Sequence, residues 1–255
     1  MKKPIIIANW KMNPNSQKEA ASIFEGIKNG AEGANAEVVV CPPFVYLGTS
    51  DVLKLKDVGR PLLGGQNIFY EEKGAYTGEI SASMLKDLGC QYVIIGHSER
   101  RKYFNETDET ANKKIKSAIK AGLKPIFCVG ETEEQRNNGK AEEVVERQIK
   151  IGLAGISNFK FQISNLIVAY EPVWAIGTGN ACKVEDAKKM KEFIEKKISD
   201  MYGKDALREV RIVYGGSVNS QNASDYVKKA GYNGFLVGGA SLKPDEFVKI
   251  IKESV

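Results

Sequence analysis

The sequence predicts an α/β protein, a single closed (β/α)8 barrel spanning residues 1–255, on three observations. Eight short, β-branched apolar runs recur along the chain. Amphipathic segments with helix-start or helix-stop residues lie between them. The 255 residues match the roughly 250 that eight strand–helix units occupy.

The runs are Ile5–Trp10, Glu37–Cys41, Leu62–Gln66, Tyr92–Gly96, Pro125–Val129, Leu166–Tyr170, Val210–Tyr214 and Phe235–Val237. Most are continuously apolar, the pattern of strands buried on both faces. Between them, Ser16–Gly30 opens with Ser16 and Glu19 at capping-box spacing, and Thr132 with Gln135 repeats that spacing. Thr107–Ala121 stops at Gly122, and Val184–Tyr202 stops at Gly203. Pro244 suits a first helical turn. Weaker helical signals lie at Val45–Lys54, Ile80–Leu88 and Ala223–Ala230. Strand alternating with helix implies parallel pairing through right-handed crossovers, and eight units close most simply into a barrel. An open doubly wound sheet is the structural rival. No Pro/Gly/Ser-rich linker divides the chain, so one domain is expected.

Composition removes several function classes. Lys plus Arg is 37 against 32 Asp plus Glu, a net charge of +5. That bias favours anionic ligands mildly and is too evenly spread for nucleic acid. Cys41, Cys90, Cys128 and Cys182 form no C-x-x-C pair, which argues against zinc and against a disulfide framework. No apolar stretch approaches the roughly 18 residues of a membrane span, and the N-terminal apolar run is too short for a secretory signal. A cytoplasmic protein without membrane or nucleic-acid partners is expected.

The chemistry-bearing residues fall after the predicted strands. Asn9 and Lys11 end the first, His97 follows the fourth, and Glu171 follows the sixth. Gly215-Gly216-Ser217 follows the seventh and Gly238-Gly239 the eighth. In a barrel these points share the C-terminal mouth, where catalytic groups sit. His97 is the only histidine, so a multi-histidine metal site is excluded. Its place at the start of the helix-like Ser98-Glu99-Arg100 disfavours the imidazolium, so a neutral ring is expected. Glu171, between an apolar strand and Pro172-Val173-Trp174, should be desolvated and made more basic. Pro172–Gly179 has the composition of a mobile lid with a stiff tip. Gly216-Ser217 and Gly238-Gly239 offer backbone N–H groups without obstructing side chains, as a phosphate requires. Lys11 reads as a fixed positive charge near that phosphate. Cys182 stands where a third glycine would complete a dinucleotide fingerprint after Gly177-x-Gly179, so that motif fails, and no cofactor site is found.

The segments Asn9–Asn13 (NWKMN), Gly96–Arg101 (GHSERR), Cys128–Glu131 (CVGE), Ala169–Gly179 (AYEPVWAIGTG), Tyr214–Val218 (YGGSV) and Gly238–Leu242 (GGASL) resemble the triosephosphate isomerase family from first strand to last helix. The resemblance implies a TIM barrel that interconverts dihydroxyacetone phosphate and D-glyceraldehyde 3-phosphate without a cofactor. It implies Glu171 as base, His97 as neutral electrophile, Lys11 as electrostatic anchor and Asn9 as a substrate contact. Gly177, Ser217, Gly238 and Gly239 would hold the phosphate. It also implies a homodimer, with Thr77 at the tip of a loop, Gln66–Glu79, that reaches the partner. The chain departs from the family pattern at Asn180-Ala181-Cys182, the rear of the lid, and at Ala82, where proline is common. Rival readings are another phosphate-binding barrel, of aldolase or sugar-phosphate synthase type, or a non-catalytic barrel scaffold. The first predicts activity on longer phosphosugars or borohydride trapping at lysine. The second predicts loss of a base or electrophile, whereas Glu171, His97 and Lys11 are all present.

Overall fold

The computed structural model describes residues 2–48, 61–156, 165–177 and 181–255. Its first half runs β1 (Ile5–Asn9), α1 (Gln17–Ala31), β2 (Glu37–Cys41), α2 (Phe44–Leu47), β3 (Leu62–Gly65), α3 (Ala82–Asp87), β4 (Tyr92–Ile95), α4 (Ser98–Phe104) and α5 (Asp108–Lys120). The second half runs β5 (Lys124–Val129), α6 (Glu133–Asn137), α7 (Ala141–Gly152), β6 (Ile167–Tyr170), α8 (Val184–Tyr202), α9 (Lys204–Glu209), β7 (Arg211–Tyr214), α10 (Ala223–Lys228), β8 (Gly234–Val237) and α11 (Pro244–Glu253). Among the described residues these eight strands form one closed parallel barrel in sequence order. Ile5 of β1 pairs with Glu37 of β2 on one side and with Gly234 of β8 on the other, which closes the ring.

Closure explains the continuous apolar runs. Alternate residues of each strand point to opposite faces. Ile5, Ile7, Val39, Ile94, Ile126, Ile167, Val213 and Leu236 fill the barrel interior. Their neighbours Ile6, Ala8, Val40, Val93, Phe127 and Val168 pack outward beneath the helices. Both faces are dry, so both must be apolar.

Local signals set the helix ends. Ser16 accepts the Glu19 N–H, and Ser81 accepts the Met84 N–H, so α3 is capped despite Ala82 at its first position. Thr132 and Gln135 form the expected reciprocal capping box. Thr107 and Thr110 form another, with a threonine in place of the usual acid or amide. Two helices were not predicted. α7 starts at Lys140 without a side-chain cap, and α9 restarts at Gly203, the residue that also ends α8. A glycine that both stops and restarts a helix reads in sequence only as a stop. Of the Val45–Lys54 signal, Phe44–Leu47 is helical and residues 49–54 lie outside the described set.

Candidate active site

The strand ends bring the predicted site residues together. Asn9, Lys11, His97, Glu171, Gly177, Ser217, Gly238 and Gly239 all line one pocket of about 320 Å³. Ile176, Ala181, Asn219, Asn222 and Leu236 share its wall. The volume suits a small ligand. Of the lid motif, residues 178–180 lie outside the described set, including Gly179 and Asn180.

Glu171 leaves β6 and is 2% exposed. Its Oε1 lies 3.0 Å from His97 Nε2, and its Oε2 accepts the Ser98 N–H at 2.9 Å. Gly215 leaves room for it, since a Cβ there would stand 3.0 Å from Glu171 Cγ. His97 caps α4 in person: its Nδ1 accepts the Glu99 N–H at 3.2 Å. That bond leaves the ring proton on Nε2, facing the Glu171 carboxylate.

The protonation expectations need a correction in direction. Burial alone raises the Glu171 pKa, as expected, but His97, the Ser98 N–H and Lys11 together outweigh it and hold the carboxyl below its ordinary value. Burial likewise lowers His97, and the facing carboxylates of Glu171 and Glu99 outweigh it, so its pKa lies above the ordinary value. The two groups hold each other. The sequence shows the desolvation of each but not that they are hydrogen-bonded partners. The larger part of the upward pull on His97 lasts only while Glu171 points at it.

Lys11 follows β1 with a positive φ of 54°. That left-handed backbone costs roughly 1–3 kcal/mol in a non-glycine residue. Two bonds hold it: Lys11 N–H donates to Asn9 Oδ1 at 3.1 Å, and Lys11 C=O accepts from Gln66 Nε2 at 2.8 Å. Its ammonium donates to Glu99 Oε1 at 2.5 Å. A Cβ on Gly238 would come within 3.2 Å of Lys11 Cε, so the bare backbone lets the lysine lie across it.

The loop after β6 is tied to its neighbours. Trp174 Nε1 donates to Glu131 Oε1 at 2.7 Å, and Ser217 Oγ donates to the Ala175 carbonyl at 2.8 Å. Behind α4, Glu106 is buried and accepts from the Gly96 N–H, Arg100 Nε and Lys114 Nζ, which fixes the turn that carries His97. Sequence reasoning assigned no role to Glu99, Gln66 or Glu106. Glu99 alone had an available signal, because a carboxylate two residues after His97 necessarily shares its helix end.

Comparison with known proteins agrees with this geometry. The family model described as triosephosphate isomerase matches residues 4–254. The triosephosphate isomerase of Dictyoglomus thermophilum is 51% identical over 252 residues, covering 99% of this chain and 100% of that one. That of Alkaliphilus oremlandii is 51% identical over 252 residues, covering 98% and 99%. That of Endomicrobium trichonymphae is 47% identical over 256 residues, covering both chains in full. With a matching model over nearly its whole length and relatives this similar, the chain belongs to the triosephosphate isomerase family.

Proposed function

We propose that the chain interconverts dihydroxyacetone phosphate and D-glyceraldehyde 3-phosphate, with Glu171 as the base. The carboxylate takes a proton from C1 of the ketose. The C–H electron pair forms the C1–C2 double bond, and the carbonyl pair moves onto the C2 oxygen. Lys11 and the His97 Nε2–H stabilise that oxyanion where it develops. The C1 hydroxyl then gives up its proton and the C2 oxygen gains one, the C1 oxygen pair forms the new carbonyl, and the C1–C2 double-bond pair takes the proton back at C2, which gives the aldehyde. Glu171 must leave His97 to reach the substrate, which removes the larger of the two carboxylate pulls on the imidazole and favours the neutral ring. Asn9 contacts the substrate. Gly177, Ser217, Gly238 and Gly239 surround its phosphate through backbone N–H groups. No cofactor is required, because a carboxylate carries the carbon-bound proton and the electron pair never leaves the substrate.

The observation that supports this reading is the convergence of one carboxylate, one imidazole and one ammonium in a pocket walled by two glycine turns. An aldolase-type barrel is less well supported, since the Lys11 side chain is ion-paired to Glu99. The test is a coupled assay on glyceraldehyde 3-phosphate with wild type and Glu171→Asp. Retracting the carboxylate by about 1 Å should cost roughly 10²-fold in turnover while binding is largely kept. Unchanged turnover would remove Glu171 from the mechanism.

The active form is a homodimer in the cytoplasm. Met12, Val45, Met84, Tyr103 and Phe104 are exposed apolar side chains, which a partner would cover. A groove of about 170 Å³ beside Lys11 and His97, lined also by Phe44, Gln66 and Phe104, would receive the partner's Thr77 loop. Light scattering giving a mass of one chain would contradict the dimer. The four cysteines are free and buried, as suits a reducing compartment. No helix among the described residues is long and apolar enough to cross a membrane.

A further inference from the structure

We infer that Tyr226 is a positioning residue for the reaction: it holds the return leg of the loop between β6 and α8 by clamping the Cys182 peptide. This rests on the function proposed above. Cys182 is 2% exposed and lies just before α8. The hydroxyl of Tyr226, from α10, donates to the Cys182 carbonyl. The N–H of the same residue donates to the Tyr214 hydroxyl at 3.3 Å. The two tyrosine rings stack with centroids 4.1 Å apart and 14° between planes, and their hydroxyl oxygens lie 3.4 Å apart.

Donor and acceptor chemistry fixes the direction of each bond. A carbonyl only accepts, so Tyr226 gives its single proton to Cys182. Tyr214 accepts from the Cys182 N–H, and the 3.4 Å hydroxyl contact runs from Tyr226 toward Tyr214, so it draws on the proton already given to Cys182. Both polar groups of Cys182 are thus held by the stacked pair, which fixes a backbone position whatever side chain that residue carries. Phenylalanine at 226 would keep the stack and lose the bond to the Cys182 carbonyl.

The clamp bears on the pocket. Tyr214 ends β7, and the following Gly215 N–H donates to the Tyr170 carbonyl at 2.7 Å, directly before Glu171. Ile176 and Gly177 on the outgoing leg and Ala181 on the return leg all line the pocket. Tyr226 therefore ties the return leg to the two strand ends that carry the chemistry. A loosened return leg lets water and the intermediate meet.

The readout is the intermediate's own side reaction. When the enediolate carries its charge on the C1 oxygen, that oxygen's pair can form the C1 carbonyl, shift the C1–C2 double bond to C2–C3 and expel the phosphate with the C3–O bonding pair. The remaining three-carbon enol ketonises to methylglyoxal, and inorganic phosphate is released. Isomerisation and phosphate release are measured side by side for wild type, Tyr226→Phe and Tyr232→Phe. Tyr232 is the control: its hydroxyl is also buried and donates to the Ala187 carbonyl at 2.7 Å, and its ring packs on the same Tyr214, without a hydrogen bond to Cys182. Phosphate released per isomerisation should rise about fivefold in Tyr226→Phe, the worth of roughly one hydrogen bond, and stay at the wild-type value in Tyr232→Phe. The ratio is insensitive to how much protein is folded, since unfolded chains catalyse neither reaction. An unchanged ratio in Tyr226→Phe, or an equal rise in both variants, would overturn the inference. A wild-type protein that does not isomerise would instead overturn the proposed function.

Discussion

The two ends of the barrel use the same residue types differently. At the floor, Glu37, Tyr92, Lys124 and Arg211 are the first residues of β2, β4, β5 and β7. Arg211 donates to Glu37 Oε2 at 2.7 Å and to the Tyr92 hydroxyl at 3.3 Å, and Lys124 also reaches that hydroxyl. Tyr92 in turn donates to Glu37. Every member is anchored in the barrel wall. At the mouth, Glu171 is bound to His97 and the Ser98 N–H, and Lys11 to Glu99. Those partners all stand on the first turn of α4, beside an open pocket, where the proposed substrate would take their place. Fixed partners give stability, and exchangeable partners give chemistry.

Substitutions at the two ends should therefore separate activity from stability. The largest effect is expected at the mouth. Lys11→Met removes the charge proposed to meet the developing oxyanion and should lower kcat/KM by roughly 10²–10³-fold. Thermal melting should be little changed, because the lysine side chain is 26% exposed. A comparable loss of melting temperature would make Lys11 a structural residue like those of the floor.

At the floor the opposite is expected. Arg211→Met leaves Glu37 without its charged partner in a half-buried site, which should cost about 3 kcal/mol in urea unfolding. Its kcat/KM below the melting range should equal that of wild type. A fall in kcat/KM without a fall in stability would show that the two ends are coupled.

A smaller effect sharpens the comparison through pH. Burial pushes the Glu37 carboxyl up, but Arg211, Tyr92 and Lys124 outweigh it and leave the folded value below 4.5. A lowered folded pKa adds stability above the unfolded carboxylate range that is lost as pH falls through the folded value. Wild type should lose stability in acid below about pH 4.5, and Glu37→Gln should lose less over that window. Glu171, also held below 4.5, should place the acid limb of kcat/KM in the same range. An acid limb near neutrality would mean that another group is being titrated. The smallest effect belongs to neither end: Thr107→Ala removes the cap of α5 and should cost about 1 kcal/mol with unchanged kinetics.

Much of this was legible in the sequence for a physical reason. Buried parallel strands need apolar residues on both faces, so all eight runs stand out, with ends shifted by a residue or so where Trp10, Gln66 and Gly96 leave the ladder. The gathering of Asn9, Lys11, His97 and Glu171 in one pocket was legible because a barrel brings strand ends to one rim. Pairing between distant residues was not. Glu171 with His97, Lys11 with Glu99 and Tyr226 with Cys182 are separated by tens of residues, and no local pattern encodes which charge meets which. That is why the direction of the Glu171 shift was misjudged while its position was not. α9 escaped notice for the opposite reason: its start is masked by the stop of α8.

The most direct test of Glu171 as the base is solvent hydrogen exchange. Dihydroxyacetone phosphate turned over by the wild-type protein in D2O should acquire deuterium at carbon, since a carboxylate proton exchanges with solvent before it is returned. Glu171→Gln should slow that incorporation by at least roughly 10²-fold, the contribution of a general base. Incorporation at the wild-type rate in Glu171→Gln would contradict the assignment.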